Sequence, residues 1–178
     1  MRTTKKLLLS GIVLLILLAV GFYLSLLTRP AGEPRETWVT SNDRFQIRVS
    51  VFPDASIGFI ADSFYLFEST SAISKEWQEV LRIQMDDPDP LPRENVRFVG
   101  EKIAYVFLGR QLAVTTDAGS TWARWDALTD QPNWSRTRPL IQDVEIGPDG
   151  RGKMTLRHAG TSAQSHLLTR DYGRMWTE

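Results

Sequence analysis

Three carboxylates stand within four residues at Asp86, Asp87 and Asp89, in the run Met85-Asp86-Asp87-Pro88-Asp89-Pro90-Leu91-Pro92. Hard cations such as Ca²⁺ take carboxylate oxygens, so this cluster could hold one. The run lacks the alternating ligands and the glycine of a calcium loop. Its prolines favour an extended polyproline-like connection, and stiffness with charge suits a partner surface. Asp126, Asp130, Asp143 and Glu145 supply further carboxylates, at no spacing that pairs them for acid–base work. The two histidines, His158 and His166, have no metal-ligand or triad partner nearby and read as surface residues of a hairpin. No G-x-S-x-G, P-loop, dinucleotide fingerprint or H-E-x-x-H occurs. Without a single Cys, disulfides, thiolate catalysis, zinc–thiolate sites and an acylated Cys anchor are all excluded. The expectation is a protein with no catalytic residues, no cofactor and no metal.

The informative spacing is a repeat. Thr115-Thr116-Asp117-Ala118-Gly119-Ser120-Thr121-Trp122 recurs as Thr169-Arg170-Asp171-Tyr172-Gly173-Arg174-Met175-Trp176, each after an apolar run. A degenerate third copy falls between Phe67 and Trp77, lacking the Asp and the Gly. The three Trp are 45 and 54 residues apart, near the length of a propeller blade. The pattern fits a tight turn between antiparallel strands. Gly119 and Gly173 supply a backbone conformation that a side chain would forbid. Asp117 and Asp171 accept bonds from loop N–H groups, Thr115 and Thr169 add hydroxyls, and Trp122 and Trp176 fold back over the hairpin.

These two octapeptides resemble the Asp-box, or BNR repeat, of sialidases and many β-propeller proteins. The resemblance covers the two motif copies alone. It implies that the Asp residues serve the fold and lie away from any active site. A sialidase would further need an arginine cluster, a Tyr–Glu pair and a full propeller. Propellers usually take four to eight four-stranded blades, more than about 145 residues supply. A partial propeller-like arrangement, a sandwich of stacked hairpins and a ring completed by other copies all remain open.

Short alternating runs must carry these turns. Phe45-Gln46-Ile47-Arg48-Val49-Ser50-Val51 sends apolar side chains to one face and polar ones to the other, as a half-buried strand does. Residues 64–67, 103–108, 112–115 and 167–169 read likewise, and Gly100–Lys102, Gly109–Gln111 and Gly147–Gly150 separate strands. The second half of residues 74–81 reads as a strand with Trp77, Leu81 and Ile83 on one face. The fold class expected is all-β antiparallel.

Ahead of this domain, residues 7–27 read LLLSGIVLLILLAVGFYLSLL. Twenty-one uncharged residues rise about 32 Å as a helix, enough for a hydrocarbon core of about 30 Å. Arg2, Lys5 and Lys6 precede it, and Arg29 and Arg35 follow. The excess before the span argues for a cytoplasmic N-terminus and a periplasmic or otherwise extracytoplasmic domain at the plasma (inner) membrane. Cleavage as a signal peptide after Gly21 would leave a greasy new terminus at Phe22 and would not alter the compartment. The expected organisation is 1–6 basic tail, 7–27 transmembrane helix, 28–37 linker and 38–178 β domain.

The first 30 residues hold four bases and no acid, so the rest carries 17 bases against 21 acids. Scattered arginines in a mildly acidic domain argue against nucleic acid, whose binders concentrate positive charge. Of the six Trp, Trp38 and Trp134 have no place in the repeats. Trp134 sits in a Pro-flanked polar loop, within an Asn133-Trp134-Ser135 sequon, and exposed aromatics often anchor interfaces. With Asp86, Asp87 and Asp89 it is the candidate partner contact. The expected function is a non-enzymatic, membrane-tethered binding or assembly module acting on a protein partner at the membrane, with homo-oligomerisation open. The resemblance leans the same way, because bacterial Asp-box proteins include assembly factors of membrane complexes. The alternatives are an immunity-type inhibitor of a periplasmic toxin and a truncated glycan-active hydrolase. The last requires two carboxylates roughly 5–10 Å apart in a cleft.

Overall fold

A computed structural model describes residues 33–52, 63–85, 93–130 and 138–178. The expected span at 7–27 lies outside them, as do Asp86, Asp87, Asp89 and Trp134. Among the described residues no helix is long and apolar enough to cross a membrane.

Alternating side chains make strands here, as the sequence suggests. In β2 (Gln46–Phe52), Ile47, Val49 and Val51 are buried while Arg48 faces the other way. It pairs with β1 (Glu36–Ser41) and with β3 (Ser63–Ser69), and β4 (Gln78–Met85) completes a four-stranded antiparallel sheet in chain order. A second sheet follows the same plan with β5 (Val96–Phe98), β6 (Ala104–Leu108), β7 (Gln111–Thr115) and β8 (Ala123–Asp126). The third contains β9 (Pro139–Ile146), β10 (Gly152–His158) and β11 (Gln164–Thr169). Among the described residues, all eleven strands pair antiparallel and no sheet closes into a barrel. The protein is all-β, with one short 3-10 turn at Arg93–Asn95 among the described residues.

The three sheets are held by two hydrophobic clusters that share the middle sheet. Ala104, Val106 and Ala113 point into a cluster with Ile47, Val49, Tyr65, Phe67 and Leu81 of the first sheet. Their strand neighbours Tyr105, Phe107, Leu112 and Val114 point the opposite way, against Val144, Met154, Leu156 and Leu167 of the third. A strand buried on both faces loses its polar alternation, and β6 reads Ala-Tyr-Val-Phe-Leu for this reason. Each fully buried Val, Leu or Phe contributes about 1.5–3 kcal/mol.

Three details depart from the sequence reading. In β4 the pairing slips, with Phe67 opposite Leu81 and Glu68 opposite Glu79. The extra residue, Val80, is buried beside Leu81, as a bulge permits. Trp77 therefore does not share the face of Leu81 and Ile83. It lies under the Arg48 guanidinium, 4.3 Å from ring centroid to Cζ, on the opposite face. His158, expected at the surface, is buried, because it ends β10 on the side facing the middle sheet. Trp38 belongs to β1 and packs on the edge of the first cluster.

Candidate functional site

The repeated octapeptides share the bonds of their threonine. Thr115 Oγ1 donates to Asp117 Oδ1 at 2.8 Å and accepts from the Gly119 amide at 3.0 Å. Thr169 Oγ1 does the same with Asp171 and Gly173, at 2.8 and 3.0 Å. Each carboxylate then ties down the far side of its turn. Asp117 accepts from the Thr121 amide and hydroxyl at 2.9 and 2.6 Å. Asp171 accepts from the Arg174 and Met175 amides at 3.1 and 3.0 Å. Burial alone would raise both carboxyl pKa values. The donated hydrogen bonds outweigh it and hold both below the usual aspartate value.

Gly119 and Gly173 have φ of +80° and +81°. Ala118 and Tyr172, just before them, are also left-handed at +55° and +61°, a strain that the motif spacing does not disclose. Tyr172 is pinned by its hydroxyl to the Pro148 carbonyl at 3.0 Å and by its amide to Gly150 at 2.9 Å. That joins the last turn to the β9–β10 turn.

Trp176 is buried and donates Nε1 to the Gly173 carbonyl at 2.9 Å. Trp122 packs on the first cluster, but its buried Nε1 has no hydrogen-bond partner among the described residues. The degenerate third copy also makes a turn, held by Ser71, one residue before the place of the aspartate. Its Oγ accepts from the Ser74 amide at 2.8 Å, and its amide donates to the Ser74 carbonyl at 2.9 Å. No residue of that turn has a positive φ, so it needs no glycine.

The three turns stand side by side at one end of the sheets. The Ala72 amide donates to the Ala118 carbonyl at 3.2 Å, and Arg174 Nη2 to Thr116 Oγ1 at 3.0 Å. The chain enters at the opposite end, where the Arg35 amide bonds to the Val51 carbonyl at the far end of β2. Ile73, 90% exposed, and Met175, 71% exposed, project from the two outer turns.

The remaining carboxylates separate into two places. Asp126 and Asp130, with Glu79, line an open groove of about 350 Å³ between β4 and β8. Asp126 accepts from Arg110 at 3.2 Å, Gln111 at 3.1 Å and the Leu128 amide at 2.9 Å. Asp130 takes the Asp126 amide at 2.7 Å, and Glu79 pairs with Arg82 at 2.9 Å. Asp143 instead joins the second and third sheets. It pairs with Arg97 at 2.7 Å, while Arg97 Nη1 and the Tyr105 hydroxyl both donate to the Val144 carbonyl at 2.9 Å. Burial disfavours the Arg97 charge, but Tyr105 and Asp143 outweigh it and raise its pKa. Burial raises the Tyr105 phenol, against the opposing pull of Arg97. Glu145 is exposed opposite Lys153.

His158 Nε2 is 2.8 Å from Ser165 Oγ, and His166 Nδ1 is 3.3 Å from Thr155 Oγ1. Among the described residues no three His, Asp or Glu side chains converge as a metal site. No known family matches the chain, and no curated protein or solved structure does so either.

Proposed function

We propose that the chain is a non-enzymatic, membrane-tethered binding or assembly module of the Asp-box type. The observation that carries this is the use made of Asp117 and Asp171. Both oxygens of Asp117 and Oδ1 of Asp171 accept from hydroxyl and amide donors of their own turns, so the residues most suggestive of chemistry are engaged in holding the backbone. The groove carboxylates are engaged as well, with Arg110, Gln111, Arg82 and main-chain amides. A general acid or base needs a free lone pair or proton facing substrate.

The sheets support a partial propeller-like stack. Propeller blades are four-stranded antiparallel meanders packed face to face around an axis, and the first two sheets have that form. The third has three strands and a first rung of a fourth, where Thr177 pairs with Leu168. Its outward face carries Gln142, Lys153, Arg157, Gln164 and His166, all exposed. A polar outer layer is how a stack of repeats ends, and this favours a short stack over a ring completed by further copies. The apolar run at 7–27, with its basic flank, supports the tether and the extracytoplasmic side.

Co-purification of the full chain from native membranes in dodecyl maltoside, followed by mass spectrometry, tests the binding reading. A stoichiometric partner at the membrane is expected. Recovery of the chain alone, together with turnover of a glycan substrate, would overturn it in favour of the hydrolase.

A further inference from the structure

We infer that the open groove between β4 and β8 binds a zwitterionic dipeptide, with its carboxylate on Arg124 and its ammonium on Asp130. The inference goes beyond the partner-binding reading and does not depend on it.

The groove begins with the face that β8 turns to the first sheet. Arg124 stands opposite Ala113 and Asp126 opposite Gln111, so both lie on the side where Ala113 packs into the first cluster. Charged side chains cannot follow Ala113 into that cluster without losing water. A space of about 350 Å³ therefore stays open beside β4, with Leu81 and Trp125, both nearly buried, in its wall. Ligand pockets run from about 300 to 1,000 Å³, and the lower end suits a molecule of dipeptide size.

The charges of the groove pair off and leave one of each sign over. Glu79 takes Arg82, and Asp126 takes Arg110. Arg124 and Asp130 are exposed, and neither has an ion-pair partner among the described residues. Arg124 makes one long bond, 3.5 Å, from Nη2 to the Glu79 carbonyl. Its Nε and Nη1 donors remain, in the fork that fits a carboxylate. Asp130 is fixed in place without being used up. Its Oδ2 accepts the Asp126 amide at 2.7 Å, and its own amide donates to the Asp126 carbonyl at 2.9 Å. Oδ1 is left to accept from an ammonium, and a carboxylate already held in position costs less to order on binding.

The same balance selects the ligand. Counting Arg110, three arginines meet the three carboxylates Glu79, Asp126 and Asp130. A polyanion would face the carboxylates and a polycation the arginines, whereas a zwitterion meets one free group of each sign. One free carboxylate, with the other two held by arginines, binds charge and does not form the working pair that glycan hydrolysis needs.

Isothermal titration calorimetry of the full chain in dodecyl maltoside tests this with glycyl-leucine, its N-acetyl form, which lacks the ammonium, and its amide, which lacks the carboxylate. Glycyl-leucine should bind at least tenfold more tightly than either blocked form, because charge-assisted bonds are the strong ones. Arg124→Gln should weaken glycyl-leucine at least tenfold and leave the amide form unchanged. Asp130→Asn should weaken it as much and leave the N-acetyl form unchanged. If either variant melts below wild type, the three ligands on the wild-type chain decide. Equal binding of the three ligands, no binding of glycyl-leucine, or an affinity indifferent to both substitutions in variants that melt as wild type overturns the inference. Sucrose binding as tightly as glycyl-leucine also overturns it, and would make the groove a sugar site.

Discussion

The Thr115 hydroxyl donates to the Asp117 carboxylate across 2.8 Å while accepting the Gly119 amide at 3.0 Å. Two side chains and one amide thereby close the turn at both its start and its middle, and Thr169 and Asp171 repeat the arrangement 54 residues later. The same bonds that depress the carboxyl pKa values make the fold sensitive to acid. A carboxyl held below its ordinary value stabilises the folded state above the unfolded pKa, near 4. That contribution is lost as pH falls through the folded pKa. The melting-temperature gap between wild type and Asp117→Asn with Asp171→Asn should therefore be wide at pH 7 and narrow at pH 2–3. A gap that is constant with pH would detach these carboxylates from the acid limb.

Gly119 fails as Ala for two reasons at once. Its φ is left-handed, and a Cβ there would lie 2.4 Å from the Thr70 carbonyl oxygen and 2.8 Å from Ser69 Oγ. Gly160 has nearly the same φ, +76°, and nothing within 4 Å. Gly160→Ala should cost about 1–2 kcal/mol, the left-handed penalty alone. Gly119→Ala should cost clearly more, because backbone must move. Denaturant unfolding compares them, and equal costs would mean that the row of turns is loose where Thr70 meets Gly119.

Trp122 and Trp176 should respond differently to the same substitution. Trp176→Phe gives up a buried hydrogen bond to Gly173 and leaves that carbonyl short of a donor, a loss of about 1–3 kcal/mol beyond the lost volume. Trp122→Phe removes an indole N–H that has no partner among the described residues, so it recovers part of the cost of lost packing. Thermal unfolding should rank Trp176→Phe as the more damaging. The reverse ranking would imply that Trp122 Nε1 is satisfied in solution.

Arg97 ties the second sheet to the third through Asp143 and the Val144 carbonyl. Arg97→Met should destabilise the domain by about 1–3 kcal/mol, since hydrogen bonds to a charged, partly buried group exceed neutral ones. Tyr105→Phe leaves Val144 its Arg97 donor and should cost less. Additive losses in the double variant would show that the two donors act independently on that carbonyl.

Much of this was legible in the residues, and the gaps have physical causes. Strands with one wet face, such as β2, announce themselves by alternation, and the two Thr-x-Asp turns by their spacing. β9 escapes that reading because a bulge beside Thr155 and Leu156 breaks the period, so Ile141 and Val144 are buried three apart. β5, with three residues, and β8, with one buried Trp, are too short to show a period. The bulge at Val80 likewise misplaced Trp77. The burial of His158 depends on where β10 ends against the middle sheet, which is a tertiary fact.

Thermal unfolding of the full chain carrying Asp117→Ala with Asp171→Ala tests the scaffold role at the centre of this account. Each loss should cost roughly 1–2 kcal/mol. For a domain of this size the pair should lower the melting temperature by about 5–10 °C. An unchanged melting curve accompanied by loss of the protein's biological activity would contradict the account, and would make these two carboxylates a functional site.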